Sequence, residues 1–207
     1  MHPTFFDAMT TRVDTDARFR VAEQIGAVLL VTMLTAIAAQ ISVPLPFTPV
    51  PFTFQPMVVL VGAAALGSRL GMASQILYVA LGIAGLPVFA ASPVLPQGVA
   101  RLLGPTGGYL MSYPFAAFVA GRLAERGFDR RYATAVLAMV CGLVVVFAGG
   151  VLWLSIGAQP ARGFPAALAT GFYPFILPDL AKLCVAAGVM PGLWRVTNST
   201  LSDPLNR

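Results

Sequence analysis

The chain has 207 residues, 57% of them hydrophobic and 10% charged, with a formal net charge of +5 and a mean hydropathy of +0.81. These proportions exclude an ordinary soluble globular protein and predict an integral membrane bundle, with no stretch left over for a soluble catalytic or ATP-hydrolysing domain. The positive balance does not point to nucleic acid, because the arginines are distributed between apolar segments and never gathered on one amphipathic face.

In chain order, the first 22 residues mix Asp7, Asp14 and Asp16 with Arg12, Arg18 and Arg20. They lack the basic start and short apolar core of a signal peptide and read as a cytoplasmic leader. Apolar segments then run from Glu23 to Val43, Phe54 to Gly67, Leu70 to Leu86, Gly107 to Leu123, Tyr132 to Gly157 and Pro178 to Val196. This predicts an all-α membrane domain of six transmembrane helices over 23–196, followed by a cytoplasmic tail over 197–207. The second helix is short for a span, so it must stand upright, be extended by its Pro-rich flanks or be shielded by neighbours. Between the last two segments, Phe164 to Leu177 is apolar but too heavily punctuated by Gly and Pro for a plain span.

Arginine placement orients the bundle. With the amino terminus inside, cytoplasmic stretches carry Arg12, Arg18, Arg20, Arg69, Arg122, Arg126, Arg130, Arg131, Arg195 and Arg207, and the outer loops only Arg101 and Arg162. Both termini are therefore expected in the cytoplasm. The outer connections are long and rich in Pro and Gly. Ser42 to Thr53, with Pro44, Pro46, Pro49 and Pro51, and Gly85 to Tyr109, which carries Phe89 and Gln97, read as stiff segments folded over a pocket that opens outward.

Asp179 and Lys182 are the two charges carried to membrane depth. Spaced i, i+3, they share a helix face and can partner each other, and intramembrane charges usually line a polar cavity. The plainer alternative is a buried ion pair that only joins two helices. Pro178, favoured at a first helical position, predicts that the sixth helix starts, or restarts, there and puts Asp179 in its first turn, where the dipole stabilises a carboxylate.

Other motifs are weaker. Gly104 to Tyr109 is Gly-rich but lacks the Gly-Lys-Ser/Thr ending of a nucleotide loop, so close packing is the simpler reading, with Tyr109 available to a ligand. Thr32 with Ala36, and Thr35 with Ala39, form a small-residue stripe on the first helix, either a docking surface for another helix or packing inside this bundle. Gln40 and Gln55, at the outer ends of adjacent helices, are able to reach a shared cavity or to cap a loop. Cys141 and Cys184 lie in apolar runs without metal-ligand spacing and read as packing residues. The only histidine is His2, no serine has a base partner and no second carboxylate accompanies Asp179 at depth, so no catalytic residue and no metal site is expected. A single Asp with a single Lys does not make a channel's ring of like charge.

Four motifs in order, Pro49 to Gln55, Leu81 to Phe89, Gly104 to Tyr109 and the Asp179-x-x-Lys182 pair, resemble the BioY family, the biotin-specific capture (S) subunits of energy-coupling-factor (ECF) vitamin transporters. The likeness runs from about Thr35 to the carboxyl end. It implies a six-helix bundle in a bacterial or archaeal cytoplasmic membrane that binds biotin from outside and delivers it inward. It also implies a transmembrane coupling subunit, to which the helix-one stripe would dock, and two ABC-type ATPase subunits, with no cofactor in this chain. By similarity, Asp179 and Lys182 become polar anchors for biotin, whose ureido group has two N–H donors and a carbonyl and whose tail ends in a carboxylate. Tyr109, Phe89 and Phe52 become ring walls, and Gln55 and Gln97 polar neighbours. The competing reading is a self-sufficient ion-coupled carrier with Asp179 as proton relay, which the lack of inverted repeats disfavours.

Overall fold

The computed structural model describes residues 2–10, 17–92, 96–158 and 160–202, the last five for backbone only. Arg12, Asp14, Asp16 and Arg207 lie outside them. The fold is all-helical. A short α1 (Phe5–Thr10) precedes the long α2 (Ala17–Gln40), and a two-residue hairpin, β1 (Ser42–Val43) with β2 (Phe52–Thr53), leads into α3 (Gln55–Leu66). Next come α4 (Ser68–Ile83), α5 (Val99–Leu103), α6 (Gly107–Ala124) and α7 (Tyr132–Leu152), which continues as a π-helical turn over Trp153–Gly157. Finally come α8 (Phe164–Gly171), α9 (Tyr173–Ala187) and α10 (Val189–Ser202). Among the described residues, three helical stretches, Ala17–Gln40, Tyr132–Gly157 and Tyr173–Thr197, are long and apolar enough to cross a membrane.

The apolar runs set the helices, and helix-forming flanks shift their ends. The first helix begins at Ala17, several residues before Glu23, because Arg18, Arg20 and Glu23 continue the helix beyond the apolar run. The Pro-rich stretch after it is extended, as prolines demand, and pairs Ser42 with Thr53 and Val43 with Phe52 in an antiparallel ladder. At 12 residues, α3 is only about 18 Å long. It is the shielded helix of the bundle: Val59, Leu60 and Ala63 are fully buried, and α3 packs against α2, α4 and α6.

Where α3 meets α4 the chain turns on Gly67, whose φ of 84° is open to glycine. The turn is held by Glu125 after α6, whose carboxylate accepts from the Ser68 N–H and hydroxyl at 2.7 Å each and pairs with Arg122 at 2.9 Å. Burial pushes the Glu125 carboxyl up, but these partners outweigh it and hold the group below its usual range. On the same side Trp194 donates to Asp129 at 2.6 Å and meets Phe5 edge-on, fastening α10 and α1 to the α6–α7 turn.

The start of the last long helix differs from expectation. It opens at Tyr173 with Pro174 in the first turn, and Pro178 lies inside α9. Pro174 already occupies the position a proline prefers, and Pro178, inside the helix, has no N–H to bond back to the Pro174 carbonyl. Asp179 is therefore the seventh residue of α9, beyond the first turn to which the dipole reaches, and its charge is met by Lys182.

The core runs around α6, which packs on α3, α4 and α7, with Ala116, Ala117 and Ala120 fully buried. At the entrance to α6 a Cβ on Gly108 would lie 2.4 Å from the Gly149 carbonyl oxygen, so the Gly-rich motif serves close helix packing. The rim is apolar: Ile25, Leu30, Met33 and Ile37 of α2, Val144 of α7 and Leu177 and Val185 of α9 are exposed. Cys184 is exposed too, so it faces outward instead of packing in the bundle.

Candidate functional site

A cavity of about 580 Å³, mouth included, lies between the β1–β2 hairpin, the segment after α4, α5, α6, α7 and α9. Its wall is mostly apolar and aromatic: Val50 and Pro51 from the hairpin loop, Phe89, then Tyr109 and Tyr113 on α6, Phe147 on α7 and Phe175 on α9. Five polar residues interrupt it, namely Thr53, Gln55, Arg101, Thr106 and Asp179.

Asp179, Gln55 and Tyr109 are held from behind. Asp179, 8% exposed, pairs with Lys182 across one helical turn. The Lys182 ammonium also donates to the Thr53 carbonyl at 2.6 Å and lies 3.9 Å from the centre of the Phe52 ring. Lys182 is thus engaged behind the carboxylate and is outside the cavity wall. Gln55 donates to the Tyr78 hydroxyl at 2.7 Å, and Tyr78 donates onward to the Val88 carbonyl at 3.0 Å. Tyr109 donates to the Gly171 carbonyl at 2.7 Å, presenting its ring to the cavity.

Arg101 is the residue that sequence reasoning missed. Counted as one of two outer arginines, it is instead only 1% exposed, in a five-residue helix between Gly98 and Gly104. It donates to the Ala90 carbonyl, while its Nε and Nη1 have no hydrogen-bond partner among the described residues. A buried guanidinium with unused donors on a cavity wall is a ready site for an anion. The Thr106 hydroxyl on the same wall is buried and unpartnered as well. Since Asp179 is balanced by Lys182, Arg101 leaves the wall with uncompensated positive charge. The available signal was its position: an arginine outside runs against the bias that puts the other arginines, Arg162 apart, on the cytoplasmic side.

The structure thus brings Asp179, Gln55, Tyr109 and Phe89 onto one cavity, sets Lys182 and Phe52 together behind it, and leaves Gln97 exposed and outside the wall. Gln40 caps a loop, donating to the carbonyls of Pro87 and Phe89 at 3.3 Å each. Thr32, Thr35 and Ala39 are buried within this chain. Thr32 donates to the Ser74 carbonyl and Thr35 accepts from Gln75, so this face of α2 packs on α4, while Ala36 is half-buried.

Three comparisons bear on this arrangement. Residues 9–199 match the family model described as the BioY family. The chain is 39% identical over 165 residues to the probable biotin transporter BioY of Pyrococcus horikoshii, which covers 80% of this chain and 92% of that one. It is 42% identical over 156 residues to the biotin transporter BioY of Thermotoga maritima, covering 75% of this chain and 86% of that one. The fold is similar to the crystal structure of the S-component for biotin from an ECF-type ABC transporter, with a TM-score of 0.75 at 23% identity over 87% of this chain and 95% of that one.

Proposed function

The chain belongs to the BioY family, and on that premise we propose that it takes up biotin, binding the vitamin in the cavity behind Phe89 as the S component of an ECF transporter. The carrying observation is the pairing of a buried carboxylate with a buried, partly unbonded guanidinium on one apolar wall. Asp179 suits the ureido N–H donors. Arg101 suits the valerate carboxylate, and Tyr109, Tyr113, Phe89 and Phe147 suit the fused rings. Lys182 then acts through Asp179, holding it in place, and touches neither end of the ligand.

In this reading six helical segments, α2, α3, α4, α6, α7 and α9–α10, cross a bacterial or archaeal cytoplasmic membrane with both termini inside. The energy comes from a transmembrane coupling subunit and two ABC-type ATPases. The ion-coupled carrier gains no support, because the one candidate relay carboxylate is already neutralised by Lys182. Titration calorimetry of the purified full chain with biotin is the test. Saturable binding of one biotin per chain is expected, and no binding in detergent and in lipid nanodiscs alike would overturn the proposal.

A further inference from the structure

We propose that Gly82 and Gly150 are specificity-determining positions: they seat the two aromatic walls, Phe89 and Tyr109, and so set the width of the cavity for the ring end of its ligand. The inference rests on the biotin-binding reading above.

Both glycines lie inside helices, Gly82 in α4 and Gly150 in α7, where glycine is the poorest helix former after proline. Neither has a positive φ, so the backbone does not require glycine at either place. Space does. A Cβ on Gly82 would fall 2.0 to 2.5 Å from three atoms of the Phe89 ring, and one on Gly150 would fall 2.2 to 2.4 Å from three atoms of the Tyr109 ring. Ordinary contact begins at 3.4 Å, so each ring lies more than an ångström closer to the helix axis than alanine permits. Both residues line the cavity.

Retreat in other directions is blocked. The main chain around Phe89 is fastened at three successive carbonyls, Val88 by Tyr78, Phe89 by Gln40 and Ala90 by Arg101, from three different helices. The Tyr78 ring stands edge-on to Phe89 at 5.7 Å. Tyr109 is held by its bond to the Gly171 carbonyl, and a Cβ on Gly171 would lie 2.4 Å from its hydroxyl. A ring displaced by a methyl group at position 82 or 150 therefore moves into the cavity and narrows it.

The test compares ligands of graded thickness on the purified full chain: desthiobiotin, which lacks the sulfur bridge, biotin itself, and biotin sulfone, which carries two extra oxygens on the sulfur. Gly82→Ala and Gly150→Ala should lower biotin affinity about tenfold or more while affecting desthiobiotin less, and should exclude the sulfone first. Phe89→Leu, which removes atoms and leaves the backbone bonds intact, should shift selectivity the opposite way, and added to Gly82→Ala it should restore biotin binding. Folding of each variant is read by its melting temperature without ligand, and Phe89→Leu keeps the proposal testable where a glycine variant does not fold. Equal losses for all three ligands, or selectivity unchanged in Phe89→Leu, would overturn the gauge. A wild-type chain that fails to bind biotin would instead remove the functional reading, and this inference with it.

Discussion

The ammonium of Lys182 donates to the main-chain carbonyl of Thr53, 129 positions away in sequence, while it pairs with Asp179 on its own helix. One side chain thus bolts α9 to the hairpin that roofs the cavity and also supplies the counter-charge of the carboxylate on the cavity wall. Removing it leaves Asp179 buried and unpaired, the situation that costs about 3–5 kcal/mol when a buried pair is broken from one side. Lys182→Met should therefore lower the melting temperature of the ligand-free chain more than the double variant Asp179→Asn/Lys182→Met does, with neither binding biotin well. Thermal unfolding of both in one detergent checks this, and equal melting temperatures would show the pair to be without energetic consequence.

Asp179→Asn should weaken biotin binding by roughly 1.5–3 kcal/mol, about ten- to a hundredfold in Kd, because it removes the charged acceptor from a desolvated wall. Gln97→Ala should leave Kd unchanged, since Gln97 is exposed and apart from that wall. Calorimetry on the two variants side by side is decisive. Equal affinities would take Asp179 out of the site.

Arg101 makes a prediction about which end of the ligand it meets. With its Nε and Nη1 unbonded and buried, Arg101→Gln should cost biotin about 2 kcal/mol or more of binding, and cost biotinamide, whose tail is uncharged, little. Competition measurements with the acid and the amide read the difference. A loss identical for both would place the carboxylate elsewhere.

What was legible in the sequence follows the reach of each signal. Apolar runs marked the helices, and the break at Gly163 and Phe172 around α8 was visible as clustered Gly and Pro. The start of α9 was misplaced because Pro174 and Pro178 carry the same local signature, and only the packed helix shows which one opens it. The i, i+3 partnership of Asp179 and Lys182 is local and was readable; the Thr53 carbonyl that completes it is not. Small residues at Thr32, Thr35 and Ala39 announced a close approach without naming the neighbour, which is α4 of the same chain. Arg101 escaped because charge counting assigns an arginine to a loop and is blind to a loop that folds inward.

On the side of the α3–α4 turn, the Glu125 carboxyl has its pKa held below the usual carboxylate range by Ser68 and Arg122 against the opposing pull of burial. A group depressed in the folded state contributes stability above its unfolded pKa and loses it as the pH falls through the folded one. Glu125→Gln should thus lower stability by about 1–3 kcal/mol at neutral pH, nearly all of it from the Ser68 bonds because Arg122 is half-exposed, and the deficit should shrink at strongly acid pH. Melting curves of variant and parent from neutral to acid pH give the measurement, and a deficit independent of pH would assign the effect to shape alone.

The hairpin roof is also tied to α8. Thr48, at its tip, donates to the Thr170 carbonyl of α8 at 2.5 Å, so the loop from β1 to β2 reaches across the bundle to the helix before α9. Prolines at 44, 46, 49 and 51 leave that loop few conformers, so opening it means swinging a stiff segment away from α8, and the tie opposes the swing. Thr48→Ala removes the bond; Thr48 does not itself line the cavity, although its hydroxyl also accepts from the Val50 N–H at 3.1 Å. Biotin should leave the variant about fivefold faster, the worth of one net hydrogen bond, with association accelerated in the same sense so that Kd moves less than either rate. Stopped-flow exchange of labelled biotin on the purified chain reads both constants. Unchanged rates would show that the ligand enters and leaves without the hairpin lifting from α8.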